Sequence, residues 1–372
     1  MIAIVYPQFY GVGGIARYLD SFLSNLPADH PTIYLITGTE HRVERRYLNV
    51  ELIHLSFNST RFNLFSWSFK VRKILNQLYK QRKIKYVNLH IPPLIPGLFM
   101  PRHIPLILTA HTTYIGMSGK YYKTQYSESQ WNSLEIKFKL WLETRLFKQA
   151  VKIITLTEQG KQELLTYGIN KGVEIIPNGV DTSLFNQDHT VSKDYDVIFC
   201  GRIERRKGSR AMVEVCKMLI HQKNDIRILI VGYGDDDVWV KTQLELYSGN
   251  INLTGKVSFP EMQHYYQRSK LYVSTSYYEG LPGTCLEAMA TGLPVVAWDF
   301  LFYRGLVEHD ETGYLVKPNN IREMSEKIIN LLVDSQAFKN LQVKTSGHIE
   351  RNFNWKKLSK KILQTFIIEM KS

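Results

Sequence analysis

Short apolar runs alternate with helix-like segments along the chain, and this alternation constrains the fold more than any other feature. Residues 2–6, 32–36, 86–90, 106–110 and 151–156 are rich in Ile, Val and Leu, as strands buried on both faces must be. Between them, 15–25 and 66–82 read as helices. In the second, Trp67, Val71, Ile74 and Leu78 recur at helical spacing. A polar run at 186–194 interrupts the pattern. It then restarts with expected strands at 196–200, 226–231, 271–275 and 294–297. Repeated strand–helix alternation predicts parallel, doubly wound sheets, and 372 residues is too long for one core. The expected organisation is two Rossmann-like domains, 1–186 and 187–351, with an amphipathic helix closing the chain at 352–372.

Three cysteines, Cys200, Cys216 and Cys285, stand far apart, which excludes a disulfide framework or paired thiolate ligands and points to a reducing compartment. The start of the chain lacks the basic and apolar regions of a leader peptide. The apolar stretch 91–108 is broken by five prolines, among them Pro92, Pro93 and Pro96, and contains Arg102 and His103, so it does not read as a membrane span.

Ligands of doubly wound sheets bind beyond the carboxyl ends of the strands, and the chemistry-bearing motifs fall there. Glu279 and Glu287 flank a Gly-Leu-Pro-Gly turn that leads into a helix near Thr284. Such a turn aims backbone amides and the positive end of a helix dipole at one point, which suits a diphosphate. The two carboxylates suit sugar hydroxyls. Gly201-Arg-Ile-Glu-Arg-Arg-Lys-Gly208 follows another strand. There Arg202 can hold phosphate oxygens bidentately, and Lys207 adds a point charge. Gly11-Val-Gly-Gly-Ile-Ala16 satisfies the dinucleotide fingerprint and Glu40 lies where a ribose-binding acid would stand, so a nicotinamide-dependent oxidoreductase is a rival. Asp235, Asp236 and Asp237 invite a metal reading, but at a helix start they read better as dipole-complementing, solvated acids. Arg205 and Arg206 read as a solvated basic loop.

Taken in order along nearly the whole chain, Gly13-Gly14, His111, Arg202/Lys207, Glu279/Glu287 and the Phe353–Trp355 segment resemble the retaining glycosyltransferases of family 4. The resemblance implies the GT-B fold, an α/β architecture of two Rossmann-like domains facing a central cleft, with the last helix returning to the first domain. It implies donor contacts from Gly13, Gly14, Gly201, Gly232, Val257, Gly283, Thr284, Cys285 and Glu287. It also implies His111 beside the donor sugar and acceptor, Glu279 on the hexose, and Arg202 and Lys207 on the departing diphosphate, so that no metal or other cofactor is needed. The donor would be a nucleotide-diphosphate sugar, by preference UDP-linked, and the acceptor a glycan or lipid-linked molecule of cell-surface polysaccharide or glycolipid synthesis. Many members carry Phe-Gly after the first Glu, where this chain has Leu281-Pro282, which leaves the donor sugar open. An epimerase of the same fold is a further alternative.

The net charge of +13 is unevenly spread: residues 1–186 hold 22 basic against 12 acidic side chains, and residues 187–372 hold 25 against 22. Residues 61–85 contain eight basic residues, no acid, and Phe62, Phe65, Trp67, Phe69 and Tyr79. The stretch reads as an anionic-membrane surface rather than a nucleic-acid site, and predicts a cytoplasmic enzyme peripheral on the inner face of the membrane. A second aromatic and basic stretch, 121–141, is expected on the acceptor side.

Overall fold

The computed structural model describes residues 1–11, 13–57, 61–118 and 134–371. They form two compact units: Met1–Gly179 with Trp355–Ser372, and Val180–Asn354.

In the first unit the order is β1 (Ile2–Val5), α1 (Gly14–Ser24), β2 (Ile33–Gly38), β3 (Val50–Leu55), α2 (Arg61–Lys80), β4 (Tyr86–Ile91), β5 (Leu106–Ala110), α3 (Tyr114–Met117), α4 (Leu134–Gln149), β6 (Lys152–Thr155), α5 (Glu158–Thr166) and β7 (Val173–Ile175). The strands pair in parallel in the order β3-β2-β1-β4-β5-β6-β7, with Ile4 of β1 opposite Leu35 on one side and Asn88 on the other. The central strands are fully buried because helices cover both faces. Trp67, Val71 and Leu75 of α2 and Leu142 and Leu146 of α4 share a core with Val5, Leu89 and Leu108 of the sheet. The last helix of the chain, α12 (Trp355–Lys371), joins this unit: Phe366 meets Phe22 of α1 edge-on at 6.3 Å, and Thr365 donates to Glu174 of β7 at 3.1 Å.

The second unit runs β8 (Tyr195–Cys200), α6 (Ser209–Gln222), β9 (Ile228–Val231), α7 (Asp237–Leu244), β10 (Ile251–Gly255), α8 (Phe259–Gln267), β11 (Ser269–Ser274), α9 (Gly283–Ala290), β12 (Val295–Trp298), β13 (Gly313–Val316), α10 (Ile321–Val333) and α11 (Ser335–Asn352). Its parallel sheet has the order β10-β9-β8-β11-β12-β13. Two cores flank it, one under α6 and α10 and one under α8 and α9.

The α/β class and the two parallel sheets are as expected from sequence, whereas the unit boundaries move. The second unit begins at Val180 because the Val180 amide donates to the Phe353 carbonyl at 2.9 Å and Val180 and Phe185 join its core. The final helix opens at Trp355 rather than Asn352. Helix α2 starts five residues before the expected 66.

Candidate functional site

Each unit gathers its chemistry at the carboxyl ends of its strands. In the second unit, the loop after β8 carries Arg202, whose guanidinium is largely exposed and lies 3.2 Å from Glu204. A 3-10 turn, Arg205–Lys207, then feeds α6 through Gly208. Gly208 has φ 74°, and a Cβ there would lie 1.9 Å from the Thr275 carbonyl oxygen, so only glycine lets this loop close onto the end of β11. That closure sets Lys207 against Glu279, and the two form a buried ion pair. Arg206 Nη1 lies 3.8 Å from the other Glu279 oxygen and donates to the Tyr278 carbonyl at 2.8 Å.

Burial alone would push the Glu279 carboxyl up, but Lys207 first and Arg206 second overcome it and hold the pKa below the ordinary value. Glu279 is therefore an ionised acceptor in a dry setting. Arg206 thus departs from the expected solvated loop: it is mostly buried between Glu204 and Glu279. Arg205 remains exposed, as expected.

Helix α9 begins at Gly283 with Pro282 at its cap and no side-chain cap. Its first amides have no intrahelical acceptor. The Cys285 amide bonds to the Pro282 carbonyl at 3.1 Å and its thiol is buried, so Cys285 offers nothing outward. Of the three expected amides, Gly283 and Thr284 are left at the tip. A Cβ on Gly283 would meet open space. Glu287, four residues into α9, is buried and accepts from the Tyr266 hydroxyl at 3.1 Å.

The loops after β9 and β10 stand beside this group. Gly232 has φ 148°, and a Cβ there would lie 1.8 Å from the Gly201 carbonyl oxygen, so two strand-end loops touch at a point where no side chain fits. Next to it Tyr233 is half-exposed, with Lys256 Nζ 5.5 Å from its ring and Val257 on the edge of the core. A small cavity of about 30 Å³, lined by Gly201, Arg202, Lys207 and Thr275, lies between the loop after β8 and the end of β11.

Asp235 is exposed, as expected of a solvated acid at a helix start, but Asp236 is not. Asp236 turns back from its helix to accept from the Ser209 hydroxyl and sits near Arg205 and Arg210 at 3.7 and 3.6 Å, bracing the basic loop. Among the described residues no cluster of three metal-binding side chains occurs.

In the first unit, His111 follows β5 directly and is buried. Its Nε2 shares a hydrogen bond with Nδ1 of His90, the penultimate residue of β4, at 2.9 Å. Tyr18 of α1 packs edge-on to His111 at 4.8 Å, with Trp355 behind it at 5.2 Å. Burial pushes the His111 pKa down to about 3, so the imidazole is neutral at physiological pH and exchanges hydrogen bonds rather than charge.

Two buried acids brace the loop after His111. Glu143 accepts the Tyr114 amide at 2.9 Å and the Tyr167 hydroxyl, and Glu163 accepts from Thr113 at 2.6 Å. Sequence reasoning missed His90, Glu143 and Glu163. Their only signal was a polar residue inside an apolar run or on the buried side of a helical period.

Gly13 and Gly14 border the start of α1, and a Cβ on either would meet nothing within 4 Å, so packing does not demand glycine there. A cavity lined by Tyr6, Tyr10, Gly13 and Glu40 opens beside them. Glu40, expected as a ribose partner in the dinucleotide alternative, does reach this cavity.

Two family models match the chain consecutively: "Glycosyltransferase Family 4" over residues 12–184 and "Glycosyl transferases group 1" over residues 181–364. The chain belongs to this glycosyltransferase family. An uncharacterized glycosyltransferase of Methanocaldococcus jannaschii is 24% identical over 98% of this chain and 97% of its own length. Among solved structures, the sucrose-phosphate synthase of Thermosynechococcus elongatus superposes with a TM-score of 0.80 at 18% identity, covering 99% of this chain and 98% of that one. The Anabaena protein Alr3699/HepE, crystallised with UDP-glucose, superposes at 0.76 with 16% identity and 98% coverage of both. Both sheets are those of the GT-B fold. With membership in a glycosyltransferase family, the oxidoreductase, epimerase and nucleic-acid alternatives are set aside.

Proposed function

We propose that this chain is a retaining glycosyltransferase. It moves a hexose or N-acetylhexosamine from a uridine-diphosphate sugar to a glycan or lipid-linked acceptor of cell-surface polysaccharide or glycolipid synthesis. The observation that carries the reading is Glu279, buried yet kept ionised by Lys207 and Arg206, one turn ahead of the α9 tip. An ionised, desolvated carboxylate there accepts hydrogen bonds from donor-sugar hydroxyls. Arg202, Lys207 and the Gly283 and Thr284 amides offset the charge that develops on the departing diphosphate, a role that leaves no task for a metal. Glu287 takes the ribose hydroxyls, with Tyr266 fixing its orientation. Gly201 and Gly232 give the base and ribose close approach to backbone, and Val257 supplies an apolar wall.

In the first unit, Gly13 and Gly14 leave room for a phosphate. The neutral His111 is a hydrogen-bond partner for donor sugar or acceptor. The UDP preference draws support from the UDP-glucose held by the Anabaena neighbour. No described helix is long and apolar enough to cross a membrane, which is compatible with a peripheral cytoplasmic enzyme.

A thermal-shift screen against nucleoside diphosphates and their sugars is the first test, because a ligand present at 100 times its Kd stabilises by about 2.7 kcal/mol without knowledge of the acceptor. A UDP-sugar is expected to give the largest shift. NMR of the product should then show the donor's anomeric configuration retained. Inversion, or release of an epimerised free sugar, would overturn the reading.

A further inference from the structure

The crossovers of the first sheet put α2, the Ile95–Phe99 turn and α4 on one face, where their inward side chains share one core. Their outward side is unusual for a solvated surface. On α2, Phe65 and Phe69 stand one turn apart, Phe69 is 55% exposed, and both rings rest edge-on against Phe99. Trp67, between them, is buried. The α4 residues Leu134, Phe138, Trp141, Arg145 and Lys148 recur at intervals of three and four, so they form a single stripe, and all five are exposed, Leu134 by 84% and Trp141 by 53%. Phe138 stacks on Trp141 at 5.8 Å, and Arg145 lies 5.8 Å from the Trp141 ring. Among the exposed described residues of the two helices, seven are basic and one, Glu135, is acidic. Residues 119–133, which hold most of the second aromatic stretch noted in the sequence, lie outside the described residues.

The placement along the helices adds a direction. Crossover helices run antiparallel to the strands they connect, so their first turns lie at the carboxyl edge of the sheet. Phe65, Phe69, Phe138 and Trp141 occupy the first halves of α2 and α4 together with Lys70 and Lys137, while Lys80, Arg145 and Lys148 lie toward the far ends with Tyr79. Contacts agree: within the first ten residues of α4, Glu143 accepts the Tyr114 amide and Lys139 Nζ sits 5.2 Å from the Tyr114 ring, three residues from His111. The four large aromatic side chains therefore lie at the end of the face that flanks the His111 loop, and basic residues run along its whole length.

We propose that this face docks on an anionic lipid bilayer, with Phe65, Phe69, Phe138 and Trp141 entering the headgroup region and the surrounding Lys and Arg meeting lipid phosphates. Aromatic rings favour the membrane–water boundary, and each basic residue near an anionic surface adds attraction. Charge decides between occupants. A second copy of the same face would bring seven cations against seven, and nucleic acid would use the cations but leave the aliphatic Leu134 and the aromatic stripe unexplained. The placement of Phe65, Phe69, Phe138 and Trp141 sets the His111 edge of this face nearest the lipid. The acceptor class this implies, a lipid-linked molecule, rests on the function proposed above; the membrane surface itself does not.

The test is co-sedimentation of the full chain with vesicles of pure phosphatidylcholine and of phosphatidylcholine with phosphatidylglycerol, alongside a UDP thermal shift. Wild type is expected to bind only the anionic vesicles and to be released by high salt. A charge variant, K70Q/R72Q/K73Q, and an aromatic variant, F138S/W141S, should each lose about tenfold or more in vesicle partitioning while keeping the wild-type UDP shift. The proposal is overturned if wild type ignores anionic vesicles, if both variants bind as wild type does, or if the face instead dimerises or binds a DNA duplex with vesicles ignored. A UDP shift with no vesicle binding would sink this surface and spare the donor site. Vesicle binding with no UDP shift would do the reverse.

Discussion

Glu279 and Glu287 occupy the two ends of one motif, yet their surroundings give them different work. Glu279 is tied to cations that hold it ionised, whereas Glu287 leans on a neutral phenol. Glu287→Ala is expected to weaken nucleoside-diphosphate binding by about 1–3 kcal/mol, the range for losing hydrogen bonds to a charged group. Glu279→Gln should leave that affinity nearly unchanged and lower turnover. Calorimetry showing equal losses for both would refute the division. Glu143 makes a second residue-level case. Burial foremost, with a contribution from nearby Glu163, raises its pKa from 4.5 to about 8. The folded chain then holds a proton that the unfolded chain releases, so this group costs stability progressively as pH rises through that interval. Glu143→Gln should flatten the decline in melting temperature between about pH 5 and pH 8. Parallel profiles for the two proteins would mean that Glu143 ionises normally.

At the scale of elements, the strand-end loops close on one another at points where only backbone fits. Gly232→Ala would drive a methyl into the Gly201 carbonyl, 1.8 Å away, and should cost at least about 1–3 kcal/mol in chemical denaturation. Gly13→Ala meets open space, so it should leave stability unchanged and show its effect only in turnover. Equal denaturation midpoints for Gly232→Ala and wild type would contradict the packing described. How well these elements could be read from sequence follows their burial. The buried central strands announced themselves as apolar runs. The four strands missed, β3, β7, β10 and β13, are the four sheet edges, where one side faces solvent and Glu51, Glu174, Asn252 and Tyr314 dilute the apolar signal. Catalytic candidates at strand ends were legible because loop chemistry is local. Arg206 was not, because its burial depends on Glu204 and Tyr278, and Tyr278 lies 72 residues away.

Across the whole molecule, the second unit gathers in its own loops the cations and helix amides proposed to hold an anion, while the first unit holds a neutral histidine and most of the excess positive charge. The proposed function requires that protein cations and helix amides, rather than a bound metal, hold the diphosphate of a nucleotide sugar. Titration calorimetry of the full chain with UDP in the presence of EDTA tests this most directly. Saturable one-site binding is predicted without added metal, and it should fall by about tenfold or more in Arg202→Ala and in Lys207→Ala, each of which removes a charged phosphate partner. Asp235→Ala combined with Asp237→Ala should bind UDP as the wild type does. Binding that vanishes in EDTA and returns with Mn²⁺, or UDP affinity indifferent to Arg202 and Lys207, would contradict the account.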